Sequence, residues 1–235
     1  MKRFWDTATI REEPQGFLIL LDARPMHLPS GGLLRATTRT LAEALAAEWQ
    51  QAGGTKGGEM SFANTPLTRL AGTAQERIAP NPDPTVDAIA RYGESDLLCY
   101  RADGPARLVA RQDQAWQPWL DWVAEAHRAP LRVTTGVTHI RQHRDSVMAL
   151  RRAVAALDAY ALAALGVAVP ALGSLVLGLA MSAGRLDADT AHRLGALDEL
   201  FQEEEWGPDP ESVRRRESVA ADLVLAERLL VLTRT

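Results

Sequence analysis

Residues 159–184 carry no charged side chain, and no other feature of the sequence narrows the possible folds as much. Such a stretch must leave water, either into lipid or into a protein core. A membrane helix needs ~20 uninterrupted apolar residues. This stretch is built largely of Ala and Gly, with Pro170 between Gly166 and Gly173. Proline lacks a backbone donor and clashes with the carbonyl four residues back, so the pattern predicts helix, break, helix. Two buried helices are therefore expected in place of a membrane span. At 235 residues and 46% hydrophobic content the chain is long enough to bury them.

The N-terminal region has a different period. Residues 7–11, 16–21 and 26–28 predict short strands, joined by the turns Glu13-Pro14-Gln15-Gly16 and Asp22-Ala23-Arg24-Pro25, with a further strand at 33–36. Thr38 can cap a helix whose Leu41, Leu45, Ala46 and Trp49 cover one face of that sheet. Four glycines within 51–58 predict a flexible linker, because the spacing of a phosphate-binding loop is not met. The fold expected is α+β: a small antiparallel sheet with a covering helix over 1–58, then a larger all-helical domain over 59–235.

In the second region helices are predicted over 66–77, from Asp83-Pro84 to about 93, from 113 onward through Trp116, Trp119, Leu120 and Val123, over 145–165 and 171–183, and from the Asp187 cap to about 207. Asp209-Pro210 starts the last helix, with Val219, Leu223, Ala226 and Leu230 inward. Residues 131–140 contain Val133, Thr134, Thr135, Val137 and Thr138 and predict an extended segment that can cross back to the first domain.

A net charge of −4 argues against a polyanion-binding surface, and the run Arg214-Arg215-Arg216 is too short to change that. One cysteine, Cys99, allows no internal disulfide. Met1-Lys2-Arg3-Phe4-Trp5-Asp6 contains no apolar leader core, so a bacterial cytoplasmic protein without membrane insertion is expected. Dinucleotide, phosphate-loop and serine-nucleophile signatures are absent from the sequence, and neither catalysis nor a cofactor is expected. The alternative is a metal-dependent enzyme using His192, Glu199 and Glu203, which lie near one another on a helix face.

At about 100° per residue, Thr190, Leu194, Leu197 and Phe201 form one stripe, and Glu204 falls near its centre, while Glu199 and Glu203 share an outward face. A carboxylate in an apolar stripe needs a cation, from within or from a partner. Trp206 is placed to pack the last turn on the following helix, with Gly207 ending it. Trp49, Trp116 and Trp119 are expected as structural anchors.

Six blocks occur in order: Glu48-Trp49-Gln50, Thr65-Pro66-Leu67-Thr68-Arg69-Leu70-Ala71, Ser95-Asp96-Leu97-Leu98-Cys99-Tyr100-Arg101, Trp116-Gln117-Pro118-Trp119, Gly173-Ser174-Leu175-Val176-Leu177-Gly178-Leu179, and 198–207 with its Gln-x-Glu-x-Trp-Gly core. Together they resemble the F-type ATP synthase assembly chaperone family, whose members attend the α subunit of the catalytic head. The resemblance implies a non-enzymatic protein that binds the unassembled α subunit, shields its β-facing surface and is a monomer when free. It implies function at Glu204, with Glu203, Phe201 and Trp206 as further partner-binding candidates. On this basis Glu204→Lys is expected to abolish client rescue and Glu203→Lys to be milder.

Overall fold

The computed structural model describes residues 2–234. The chain divides into two compact units, one of Met1–Pro82, Asp158–Ala164 and Arg228–Thr235, the other of Asp83–Leu157 and Leu165–Glu227.

In the first unit β1 (Ala8–Glu13) and β2 (Gly16–Leu21) form an antiparallel hairpin in which Ala8 faces Leu21 and Glu13 faces Gly16. β3 (Arg24–Pro25) and β4 (Arg35–Ala36) pair antiparallel with opposite ends of β2. Leu18, Ile19, Leu20 and Leu21 are all buried, so β2 is covered on both faces and loses the usual alternation. α1 (Arg39–Gln51) starts where predicted: the Thr38 hydroxyl accepts the Leu41 amide, and Leu41, Leu45, Ala46 and Trp49 are buried. The later segments complete this unit. Tyr160 donates its hydroxyl to the Arg35 carbonyl at 2.9 Å, and the Thr40 hydroxyl donates to the Leu232 carbonyl at 2.9 Å.

The glycine-rich segment is folded back rather than left as a free linker. Buried Arg3 donates to the carbonyls of Trp5, Gln50 and Asp6, and the Arg3 amide and carbonyl pair with Gly58 and Gly57. A Cβ at Gly58 would lie 1.9 Å from the Gly53 carbonyl oxygen, so the glycine serves close backbone approach. After it, α2 (Pro66–Thr73) runs into a π-helical turn, Ala74–Ile78.

The second unit holds α3 (Asp83–Ala90), α4 (Ala106–His127), α5 (Arg144–Ala155), the later part of α6 (Ala159–Leu172), α7 (Leu175–Ser182), α8 (Ala188–Gly195), α9 (Leu197–Trp206) and most of α10 (Pro210–Thr233). α4 begins seven residues before the predicted start: a polar Gln112 occupies the buried stripe Leu108, Gln112, Trp116, Leu120, Val123 and hides its period. Pro170 does not break α6. It lies on the exposed edge with Gly166, where the carbonyl it leaves unpaired can be hydrated; the break falls at Gly173 (φ 64°) and Ser174, which caps α7. The predicted 145–165 helix is likewise divided, with Asp158 accepting the Ala161 amide at the new start. The extended segment stays within this unit: β6 (Thr134–Thr135) pairs in parallel with β5 (Tyr100–Arg101).

Asp96 ties this unit together. Fully buried, its Oδ1 accepts the Leu98 amide (3.1 Å) and the Ser174 hydroxyl (2.8 Å), and its Oδ2 the Val176 amide (2.9 Å). Burial pushes the Cys99 thiol up to about 12, which leaves it a neutral packing group. Among the described residues no helix is long and apolar enough to cross a membrane.

Candidate functional site

The predicted helix from Asp187 to residue 207 is two helices, because at Ala196 (φ −96°, ψ 12°) the backbone leaves the helical path between α8 and α9. The predicted stripe survives the break in part, with Leu200 in the place expected for Phe201. Thr190, Leu194, Leu197, Leu200 and Glu204, with Arg111, line one open cleft of about 240 Å³. Phe201 turns inward and is 4% exposed.

α4 positions this region. Buried Gln112 accepts the Ala102 amide at 2.8 Å and donates to Asp198 Oδ1 at 2.7 Å, and Trp116 Nε1 donates to the Leu194 carbonyl at 3.0 Å. One residue before Gln112 on α4, Arg111 meets Glu204 through two parallel bonds, Nη1 to Oε1 at 2.8 Å and Nη2 to Oε2 at 2.9 Å. Arg107 Nη1 meets Glu205 Oε1 at 2.9 Å. Both guanidinium groups also lie over the Phe201 ring, at 5.7 Å for Arg107 and 5.4 Å for Arg111. The hydrogen bonds from Arg111 hold the Glu204 carboxyl below the usual range.

Glu199 and Glu203 are not outward. Both point at α10, where Arg216 pairs with Glu203 and Arg215 Nη2 lies 2.9 Å from Glu199 Oε1. Arg216 is 12% exposed, so the Glu203 pair is the most sheltered of the set. These arginines occupy two of the three groups in the alternative metal reading. Among the described residues no group of three or more His, Cys, Asp or Glu is placed to hold a metal ion. His192 Nε2 and Glu199 Oε2 are buried without a hydrogen-bond partner.

Trp206 differs most from expectation: it is 81% exposed and does not pack on α10. Gly207 (φ 87°) ends the helix, its amide donating to the Glu203 carbonyl at 2.8 Å. Trp116 is fully buried, Trp49 is 4% exposed and donates to the Thr68 hydroxyl, and Trp119 is half-buried, edge-on to Trp122. Sequence reasoning missed Arg107, Arg111, Arg215 and Arg216. The signal was available: the first two are four apart beside the α4 stripe, and the arginine run near 215 is the counter-charge for the glutamates.

Fold and site together define an α+β protein whose helical unit presents a charged helix end tipped by an exposed aromatic residue. The family of the ATP12 chaperone protein matches residues 2–124, and the chain belongs to that family. The likeness extends past the matched region to the whole site. The crystal structure of Atp12 from Paracoccus denitrificans superposes with a TM-score of 0.93 at 43% identity, covering 99% of this chain and 98% of that one. The Atu1473 protein from Agrobacterium tumefaciens gives 0.89 at 34% identity, covering 100% of this chain and 86% of that one. Mitochondrial protein atp12 of Schizosaccharomyces pombe is 22% identical over 214 residues, 88% of this chain and 74% of its own length.

Proposed function

We propose that this protein binds the unassembled α subunit of F-type ATP synthase, covers the surface that subunit later gives to the β subunit, and hands it on to the assembling catalytic head. The observation that carries the reading is the end-to-end likeness to Paracoccus Atp12 at 43% identity. The physical setting agrees with it. An unassembled subunit exposes a large apolar patch that aggregates, and a holding protein must cover that patch reversibly. The last turn of α9 offers an exposed indole in Trp206 and a half-exposed carboxylate in Glu204, beside a cleft lined by Leu194, Leu197 and Leu200. Aromatic anchors supply affinity at such surfaces and charged groups supply specificity. Of the proposed partner-binding set, Trp206 is the contact with the client, and Glu204, Glu203 and the inward Phe201 serve it from within the turn that carries the indole, on a monomeric cytoplasmic protein.

The test is co-expression with the α subunit encoded in the same genome. The soluble yield of that subunit rises and the two co-purify. A soluble yield unchanged by co-expression, with no complex recovered, overturns the reading.

A further inference from the structure

Glu203, Glu204 and Glu205 occupy the final turn of α9, which holds no basic residue of its own. Negative charge there opposes the helix dipole, and three neighbouring carboxylates repel one another. By its own chemistry this turn would fray. Successive residues diverge by about 100° around the helix, and each glutamate reaches a different arginine: Glu203 meets Arg216, Glu204 meets Arg111 and Glu205 meets Arg107. The arginines come from two helices, α10 and α4. Trp206 follows directly, exposed and outside this set of contacts. Its place is therefore set by the backbone of the turn, and whatever holds the turn sets the direction of the indole.

We propose that Arg107, Arg111 and Arg216 are positioning residues: they hold the acidic last turn of α9 helical and so present Trp206 to the client. The inference rests on the chaperone reading above and deepens it. Arg111 is central to it. Its bidentate fork engages both Glu204 oxygens while its guanidinium carbon lies over the Phe201 ring at 5.4 Å from the centre, and the two contacts together fix the rotation of α9 about its axis as well as its distance from α4. Glu204 then serves the client through Arg111, by holding the turn.

The experiment uses the full-length protein and the purified α subunit, and compares wild type with Arg111→Glu, Glu204→Arg and the double swap. Affinity and the thermal midpoint are both measured. Each single reversal sets like charges together and weakens binding about tenfold or more, and the swap, which restores opposite charges, returns affinity to within about threefold of wild type. Arg111→Gln removes the charge without repulsion and weakens binding in the same direction, while Arg111→Lys, which keeps the charge but not the fork, recovers part of it. A double swap that folds as wild type does yet binds no better than Glu204→Arg overturns the inference, because Glu204 would then touch the client itself. Unchanged binding by Arg111→Gln overturns it as well. Failure of the wild-type protein to bind the α subunit is a different result, which overturns the chaperone reading and the inference with it.

Discussion

The Glu48 carboxylate takes both the amide (2.9 Å) and the hydroxyl (2.6 Å) of Thr68, and it also takes the Leu67 amide at 2.7 Å. α2 begins at Pro66, and Thr65 provides no side-chain cap. Glu48, on α1, therefore does the work of an N-cap for a different helix, with its charge at the favourable end of the dipole. The Thr68 hydroxyl accepts Trp49 Nε1 at 2.9 Å in turn. Glu48→Ala leaves two donors of the first turn unpaired and should cost about 2–3 kcal/mol in urea denaturation. Glu48→Gln, which keeps one acceptor oxygen, should cost about half of that. A loss below about 0.5 kcal/mol for Glu48→Ala would show that α2 needs no cap from α1.

Burial raises the Asp96 carboxyl to about 6, against the pull of its three hydrogen-bond donors. Its folded value lies above its unfolded one, so the folded state binds the proton more tightly. The stability this proton contributes is fully present below about pH 4 and is lost as pH rises through about 6. Asp96→Asn cannot titrate there. Stability measured by denaturant at pH 6 and pH 4 should therefore move in favour of the wild type, relative to the variant, as pH falls. Parallel curves over that interval would mean that Asp96 is ionised throughout it.

Glu48-Trp49 and Thr65–Ala71 stand apart in the sequence and are one hydrogen-bonded cluster in the fold; local periodicity placed both helices but carries no sign of a cap supplied from another element. The sheet and α1 were legible because turn residues and a Thr cap mark their ends. Pro170 misled for a physical reason: on an exposed edge the unpaired carbonyl is tolerable, whereas Gly173 and Ser174 supply the left-handed residue and the cap that a true break uses. At α9 the helical phase distinguished Glu204 from its neighbours. It gave no partner, because the arginines lie on α4 and α10, about ninety residues before it and about ten after.

α7 packs against α6 at Gly178, where an added Cβ would lie 2.4 Å from Val169 Cγ2. Val169 is fully buried and has nowhere to withdraw. Alanine is the better helix former by about 1 kcal/mol, yet overpacking of a dense core costs about 1–3 kcal/mol. Gly178→Ala should lower the denaturation midpoint, and adding Val169→Ala should recover part of the loss by opening the space. If Gly178→Ala is as stable as wild type, the helices separate more easily than their packing implies.

Arg216 is 12% exposed and serves both Glu203 and Glu199. Glu203→Lys would place an ammonium against that sheltered guanidinium. Breaking a pair of this burial should cost about 2–4 kcal/mol, read from thermal or urea unfolding. Glu204 is 50% exposed, and lysine there can swing into water. The order expected from sequence concerns client rescue; for the fold, Glu203→Lys should be the more damaging to stability, and Glu204→Lys should lose client binding while unfolding near the wild-type midpoint. The opposite ranking of midpoints would show that Arg216 is not held by Glu203.

Trp206 is 81% exposed and ends a helix that Gly207 closes through its own amide. Removing the indole deletes no buried contact. Trp206→Ala should leave the unfolding free energy within about 0.5 kcal/mol of wild type. A tryptophan that enters an apolar pocket on a client is among the costliest residues to truncate, with losses of about 2 kcal/mol or more, equivalent to roughly thirtyfold in affinity. The variant should therefore fold normally, fail to co-purify with the α subunit and leave that subunit insoluble on co-expression. Trp206→Phe, which keeps an aromatic face, should retain part of the affinity. Binding unaffected by Trp206→Ala would move the client contact off the tip of α9 and onto the cleft beside Leu194, Leu197 and Leu200.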